Sequence, residues 1–440
     1  MPRKLVLVAI CGLVAWLTGC GSSRDGGAGQ TTSNSFPSTT PATKVDPPTA
    51  FDGDAGMPLP VVPLRSNLAG NVTSSFTTLA GRTAYIVDRS SLRAVDALTG
   101  NEGWRVGIGD GPLPPDPLSQ PGGFVDDSGP RPPVLSEDGA TVVAAIPVSV
   151  PGSGTTPRHE ALGVISVDTT TGQKRWSTTV AVPVAVSGLS TGGAVTTVVA
   201  VTDKAVVVAY RSNSKSLFNG SMSAAIDLMT QKVLWQRDDY AAGAVYGEVV
   251  VGTDSNVAEN PSMVQATALS LLDGQERWVA ATRSVEAAVV ASHPDLVVID
   301  RVDYSSGRLT LLFLDPISGE TRNVLDEKRG GLSSSSYGPC LYDQKAVLVC
   351  TGGGVRAFSG AEGKLLWSLP DTVANRVAPQ VTAVWHGAVY GKTDNGPVIL
   401  DAATGQDLSA QPGAAPSAVS EYAGIGIDKQ GRPIAFPVKA

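Results

Sequence analysis

Four cysteines and three histidines are the side chains in this 440-residue sequence best suited to nucleophilic, redox or metal chemistry. His159, His293 and His386 lie far apart with no ligand spacing, so no histidine-based metal site is written here, and each reads as a turn or solvent residue. No G-x-S-x-G elbow, phosphate-binding glycine loop or H-E-x-x-H helix occurs. Asp110, Asp116, Asp126 and Asp127 make one stretch acidic, but they lack the compact oxygen-ligand loop of a calcium site and read as a solvated loop. Cysteine chemistry remains. Cys11 and Cys20 lie near the N-terminus, and Cys340 and Cys350 lie close together much later.

The context of Cys20 points to acylation. Arg3 and Lys4 form a basic start, Leu5 to Trp16 is an apolar run too short for an ordinary spanning helix, and Leu17-Thr18-Gly19-Cys20 comes next. That order resembles the lipobox of bacterial lipoproteins, which implies a signal peptide over 1–19 and a lipid on Cys20. Residues 20–56 are rich in Ser, Thr, Gly and Pro, cannot bury enough apolar surface to offset their ordering entropy, and read as a flexible tether. Export also places Cys340 and Cys350 where thiols oxidise, and Cys11 leaves with the signal. The formal charge of −7 includes Arg3 and Lys4. Nucleic acid and anionic lipid headgroups, which need a basic face, are therefore not indicated as partners.

The elements that position these residues are written in a repeat. "AVDALTGNEGW" (94–104) returns as "SVDTTTGQKRW" (166–176), "AIDLMTQKVLW" (225–235), "LSLLDGQERW" (269–278), "FLDPISGETRN" (313–323), "AFSGAEGKLLW" (357–367) and "ILDAATGQDLS" (399–409). Glycine sits four residues before the Trp position at Gly100, Gly172, Gly274, Gly319, Gly363 and Gly405, and Gln231 stands there in the third copy. From Gly274 onward the spacings are 45, 44 and 42 residues, a period that belongs to propellers and solenoids. Apolar content of 42% against 17% charged, with 49 Gly and 31 Pro, favours turn-rich, all-β structure.

Each copy reads as four strands, A to D. Asp96, Asp168, Asp227, Asp315 and Asp401 end strand C and can cap the following turn. The glycine takes the left-handed position. Trp104, Trp176, Trp235, Trp278 and Trp367 lie on strand D, where each can bury a face against the neighbouring repeat. In the sixth copy Cys340 falls on the innermost strand A and Cys350 on strand B, symmetric about Lys345. That odd-length connection sets the two cysteines directly opposite each other and predicts a disulfide.

The repeat resembles the pyrroloquinoline-quinone-type (PQQ-like) β-propeller repeat over roughly 57–440. That family includes quinoprotein dehydrogenases and the propeller lipoprotein of the outer-membrane β-barrel assembly machinery. The resemblance implies a propeller and is nearly silent on function. A quinoprotein would also show a vicinal cysteine pair and acidic calcium ligands; no Cys-Cys pair occurs and no ligand motif matches, so neither cofactor nor metal is expected.

Seven phrases give seven blades, but the remnant "YAGIGIDKQGRPIAFPVKA" reads as strands B and C of another unit. "MPLPVVPL" (57–64) is expected to supply its missing strand D and close an eighth blade, which leaves no open sheet edge; seven blades is the alternative. Long segments at 107–133, 148–160, 211–221, 253–263 and 302–307 are all B–C or D–A connections, and so fall on one face. The sequence therefore reads as a monomeric, lipid-anchored propeller at the cell envelope. It would bind protein partners as a non-catalytic scaffold. The alternatives are a degenerate quinoprotein-type enzyme or a sensor of an envelope ligand.

Overall fold

The computed structural model describes residues 44–60, 76–88, 91–107, 129–183, 194–212, 220–255, 263–303, 308–328, 339–352, 354–428 and 433–439. The signal segment, Cys20 and the tether as far as residue 43 lie outside the described residues, as do Asp110, Asp116, Asp126 and Asp127. All the strands belong to the unit Thr31–Ala440.

Among the described residues there is no helix, and the strands form eight sheets, antiparallel but for one short added strand. The first sheet is Thr77–Ala80, Thr83–Val87, Ser91–Asp96 and Glu102–Gly107, paired in chain order. Middle strands such as Ala205–Ser212 ("AVVVAYRS") are covered on both faces and so read as near-continuous apolar runs. Outer strands such as Lys174–Ala181 alternate, with Trp176 and Val180 in and Arg175 and Ser177 out. The first strands of successive sheets touch one another and so line the axis.

The core is divided among the joints between sheets. Val143 and Leu162 of the second sheet pack on Val206 and Tyr210 of the third. Leu311 and Phe313 of the fifth pack on Leu348 and Phe358 of the sixth. Ala423, Ile425 and Ala435 of the eighth pack on Ala84 and Ile86 of the first, with Leu59 among them. That last cluster closes the series into an eight-bladed propeller.

The eighth blade is composite. Ala418–Val419, Ala423–Ile427 and Pro433–Pro437 supply strands A to C, and Met57–Pro58 supplies strand D through the pairs Met57↔Ala435 and Pro58↔Ile434. Closure by the segment at Met57 therefore decides for eight blades against seven.

Reading residues 20–56 as one tether needs correcting at its C-terminal end. Phe51 is 1% exposed, bridges to Val438 and lies against Tyr390. The Tyr390 hydroxyl donates to the Pro48 carbonyl at 3.0 Å, and the Val45 amide donates to Glu421 O at 2.9 Å. The physical reason is that one aromatic ring with a waiting pocket outweighs the polar composition around it.

Two insertions fall wholly or partly within the described residues. Thr141–Val150 and His159–Asp168 are ten residues each and pair without a break from Thr141↔Asp168 to Val150↔His159. They reverse through a Ser153↔Thr156 bridge. The 148–160 segment is thus the end of a hairpin arm. The long 107–133 connection ends in Gly129–Pro130, which adds a parallel fifth strand to the axial edge of Ala194–Val201. The Arg131 amide extends that pairing to Thr196 O at 2.8 Å. The central parts of the other three segments lie outside the described residues.

Candidate functional site

The repeated Asp, Gly and Trp form the joint between blades. Asp96 Oδ1 accepts the amides of Leu98 and Thr99, both at 2.9 Å. Asp168, Asp227, Asp315 and Asp401 accept amides two or three residues on in the same way, which fixes the C–D turn. The Arg175 guanidinium, with the turn amides, holds the Asp168 carboxyl down at about 2. The Ser318 amide and then Arg322 hold Asp315 at about 2. Asp227 is also lowered, chiefly by the Thr230 amide. Ser270 and Ser359 occupy the Asp position in the fourth and sixth copies, and their carbonyls still accept from Gly274 and Gly363.

Each of four Trp rings reaches forward to the next blade. Trp104 Nε1 donates to Thr169 O at 3.1 Å, Trp235 to Leu271 O at 2.8 Å, Trp278 to Pro316 O at 3.0 Å and Trp367 to Ala402 O at 2.8 Å. In every case the acceptor follows the residue that ends strand C of the next blade. The ring then lies on that blade's turn glycine. A Cβ on Gly172, at φ 70°, would sit 2.4 Å from Trp104 Cγ, and one on Gly274, at φ 68°, would sit 2.8 Å from Trp235 Cγ. The glycine is needed both for its left-handed backbone and for the approach of a ring.

The same contact pairs Gly319 with Trp278 and Gly405 with Trp367. Phe313 lies against Gly363, where Asn323 replaces the tryptophan and donates to Gly363 O at 2.7 Å. Met57 takes the place of the ring at Gly100. Trp176 is buried among Val206, Met222 and Ile226. One further regularity was missed in the sequence: all seven phrase-bearing outer strands carry a β-bulge beside the Trp position, as between Ala225↔Trp235 and Ile226↔Val233. The constant spacing from glycine to Trp was its only signal.

The cysteines pair as expected. Cys340 and Cys350 are directly opposite on strands A and B of the sixth blade, their Cα atoms 3.9 Å apart, joined as a disulfide and almost fully buried. The histidines are dispersed. His159 is on the hairpin arm, its ring beside the Pro157 carbonyl. His293 is buried edge-on against Tyr342, accepts the Asp295 amide at 3.1 Å, and is pushed below its ordinary pKa by burial. His386 stacks on Trp385 and meets Asp46 at 2.6 Å.

The two cysteines outside the N-terminal region are bonded to each other across adjacent strands, not vicinal in the chain. Among the described residues, no group of three His, Cys, Asp or Glu side chains is gathered to hold a metal.

Shape is the more informative feature. The hairpin arm and the described B–C turn of the seventh blade lie on one face. On that side, a groove of about 250 Å³ runs beside the turn Thr393–Gly396. Its wall is a small hairpin closed by Asp371↔Arg376, with Asp371 Oδ1 accepting the amides of Val373 and Ala374. Arg376 fixes that hairpin to Asp407 and Gly405 O. Val377 in the groove is 62% exposed and Val373 at the tip 97%, so apolar side chains stand in water on a held backbone.

Eight antiparallel four-stranded blades, with a Trp or its substitute seated on a turn glycine at joint after joint, define a β-propeller of the PQQ-like repeat class. The chain belongs to the family described as outer membrane protein assembly factor BamB, whose model matches residues 64–279 and 322–435. Similar solved structures include BamB from Moraxella catarrhalis, at 14% identity and a TM-score of 0.47, covering 86% of this chain and 99% of that one. The Dos1 propeller matches at 12% identity and a TM-score of 0.39, with 81% and 75% covered. Protein lmo1340 from Listeria monocytogenes EGD-e matches at 9% and 0.40, with 79% and 97% covered. No curated protein sequence matches the chain.

Proposed function

We propose that this chain is a lipid-anchored, extracytoplasmic binding module that holds protein partners at the cell envelope and catalyses no reaction. The observation that carries the reading is the ordered arm Thr141–Val150/His159–Asp168, which extends the second blade on the face where the insertions gather. A paired hairpin presents its tip at little entropic cost on binding. The family's description as an assembly factor agrees with a scaffold role. Cys20 carries the lipid on this reading, and no quinone is bound.

The test is cross-linking in intact envelopes with the arm cut back, residues 149–160 being replaced by a two-residue turn. Partner adducts should fall while β-type circular dichroism is kept. Undiminished adducts would remove the arm from the binding face. The Cys20→Ala chain should leave the membrane fraction or stay uncleaved. A quinone absorption band appearing on addition of PQQ and calcium would favour the enzyme reading.

A further inference from the structure

The opposite face has a pattern of its own. In the C–D turns, the second residue after the Asp or Ser that closes strand C is Thr170 in the second blade, Ala361 in the sixth and Ala403 in the seventh, and in the first it is Leu98, half-buried against the joint with the eighth blade. In the third, fourth and fifth blades it is Met229, Leu272 and Ile317, which are 91%, 41% and 60% exposed. These are three consecutive blades with one large apolar side chain each, at one position of the repeat. Strand alternation sends all C–D turns to the same face as the A–B turns.

The N-terminal segment reaches the propeller on that face too. Val45 bonds to Glu421 in the A–B turn of the eighth blade, and Asp46 meets His386 in the A–B turn of the seventh. Phe51 then pairs with Val438 at the end of strand C that adjoins the C–D side. Between Cys20 and Lys44 lie 23 residues of sequence, which even fully extended would reach at most roughly 80 Å.

We infer that this face rests on the lipid surface. Met229, Leu272 and Ile317 enter the interfacial layer, and the arm-bearing face is turned away from the membrane. The inference rests on the lipid-anchor reading. Three partly inserted side chains hold a free protein weakly, but a tether raises their effective concentration at the surface to about the millimolar range, where weak partition suffices. The attraction is apolar and not coulombic, since the neighbouring A–B turns carry Asp203, Glu248 and Asp295 against one cation, Lys204, which is paired with Glu248. In a ring of eight blades the fourth stands across the axis from the eighth. The tether therefore arrives on one side of the disc and the apolar turns meet the lipid on the other, which steadies it at two separate points.

The experiment uses the lipidated full chain on phosphatidylcholine vesicles, with a polarity-sensitive thiol probe placed in turn at Met229→Cys, Leu272→Cys, Ile317→Cys and Thr155→Cys on the arm. A blue-shifted emission and loss of access to an aqueous quencher are expected at the first three positions and not at the arm. Vesicle-bound protein whose three turn probes stay in water, or whose arm probe is shielded, overturns the orientation while leaving the anchor intact. A second measurement is independent of the anchor: in the Cys20→Ser chain, Met229→Ser, Leu272→Ser and Ile317→Ser together should lower the vesicle partition coefficient by roughly tenfold or more. Equal partition of the two Cys20→Ser chains, or no partition of either, overturns the lipid contact and leaves a protein partner as the occupant of these turns.

Discussion

The joint at Trp235 and Gly274 allows a test in which two damaging substitutions partly cancel. Trp235→Ala removes a ring that is 9% exposed and a bond to Leu271 O, and should cost about 3–5 kcal/mol. Gly274→Ala carries two penalties. At φ 68° a non-glycine residue costs about 1–2 kcal/mol, and a Cβ 2.8 Å from Trp235 Cγ adds about 1–3 kcal/mol of overpacking. With the ring gone, only the backbone part remains. The double variant should therefore be less destabilised than the sum of the single ones by about 1–3 kcal/mol. Chemical unfolding followed by far-ultraviolet circular dichroism, with the slope checked for constancy, measures all three. Additivity to within about 0.5 kcal/mol would show that the glycine is not there to admit the ring.

Gln231 holds the same left-handed position at φ 60° with its side chain exposed, so Gln231→Gly should stabilise by about 0.5–1 kcal/mol in the same assay. Replacing Cys340 and Cys350 by serine should cost about 2–3 kcal/mol, read as the difference in unfolding midpoint without reductant. Asp168 and Asp315 titrate at about 2 in the fold against an ordinary 3.8, so the stability they give is present above about pH 4 and is lost as the pH falls towards about 2; Asp168→Asn with Asp315→Asn should flatten that limb of the stability profile. Replacing residues 110–127 by a short Gly/Ser loop should leave the fold intact, because length in surface connections costs little, whereas extending the cut through Arg131 should lower the midpoint by removing the fifth strand.

The propeller was legible because its period is carried by residues with few substitutes. An Asp before a tight turn, a glycine at positive φ and a Trp four residues on leave the same mark in copy after copy. The spacing of Cys340 and Cys350 about Lys345 was enough to place them opposite each other. Gly129–Pro130 was not legible, since neither residue favours a strand and the pairing is supplied by a partner strand beyond residue 190. The seating of residues 44–56 was hidden in the same way: composition averages over the stretch, whereas Phe51 acts through a single pocket that other blades build. The candidate binding face was visible only as insertions; that one of them is a paired arm depends on register, which composition does not carry.

Closure of the eighth blade has a consequence for the order of events at synthesis. The strand that completes it, Met57–Pro58, is among the first of the folded unit to be made, and its partner Pro433–Pro437 is among the last. The four antiparallel strands of each of blades one to seven can form from contiguous chain as it emerges, but Met57 must wait for Ala435. Until then Pro433–Pro437 stands as a bare edge, the condition under which strands of different molecules pair. The final step joins segments separated by nearly the whole propeller, the kind of contact that folds slowly. A ribosome that stalls short of residue 433 would leave a seven-bladed open arc, and the cell's quality control would meet the uncovered apolar faces of its end blades, Ala84 and Ile86 among them, rather than an unfolded chain.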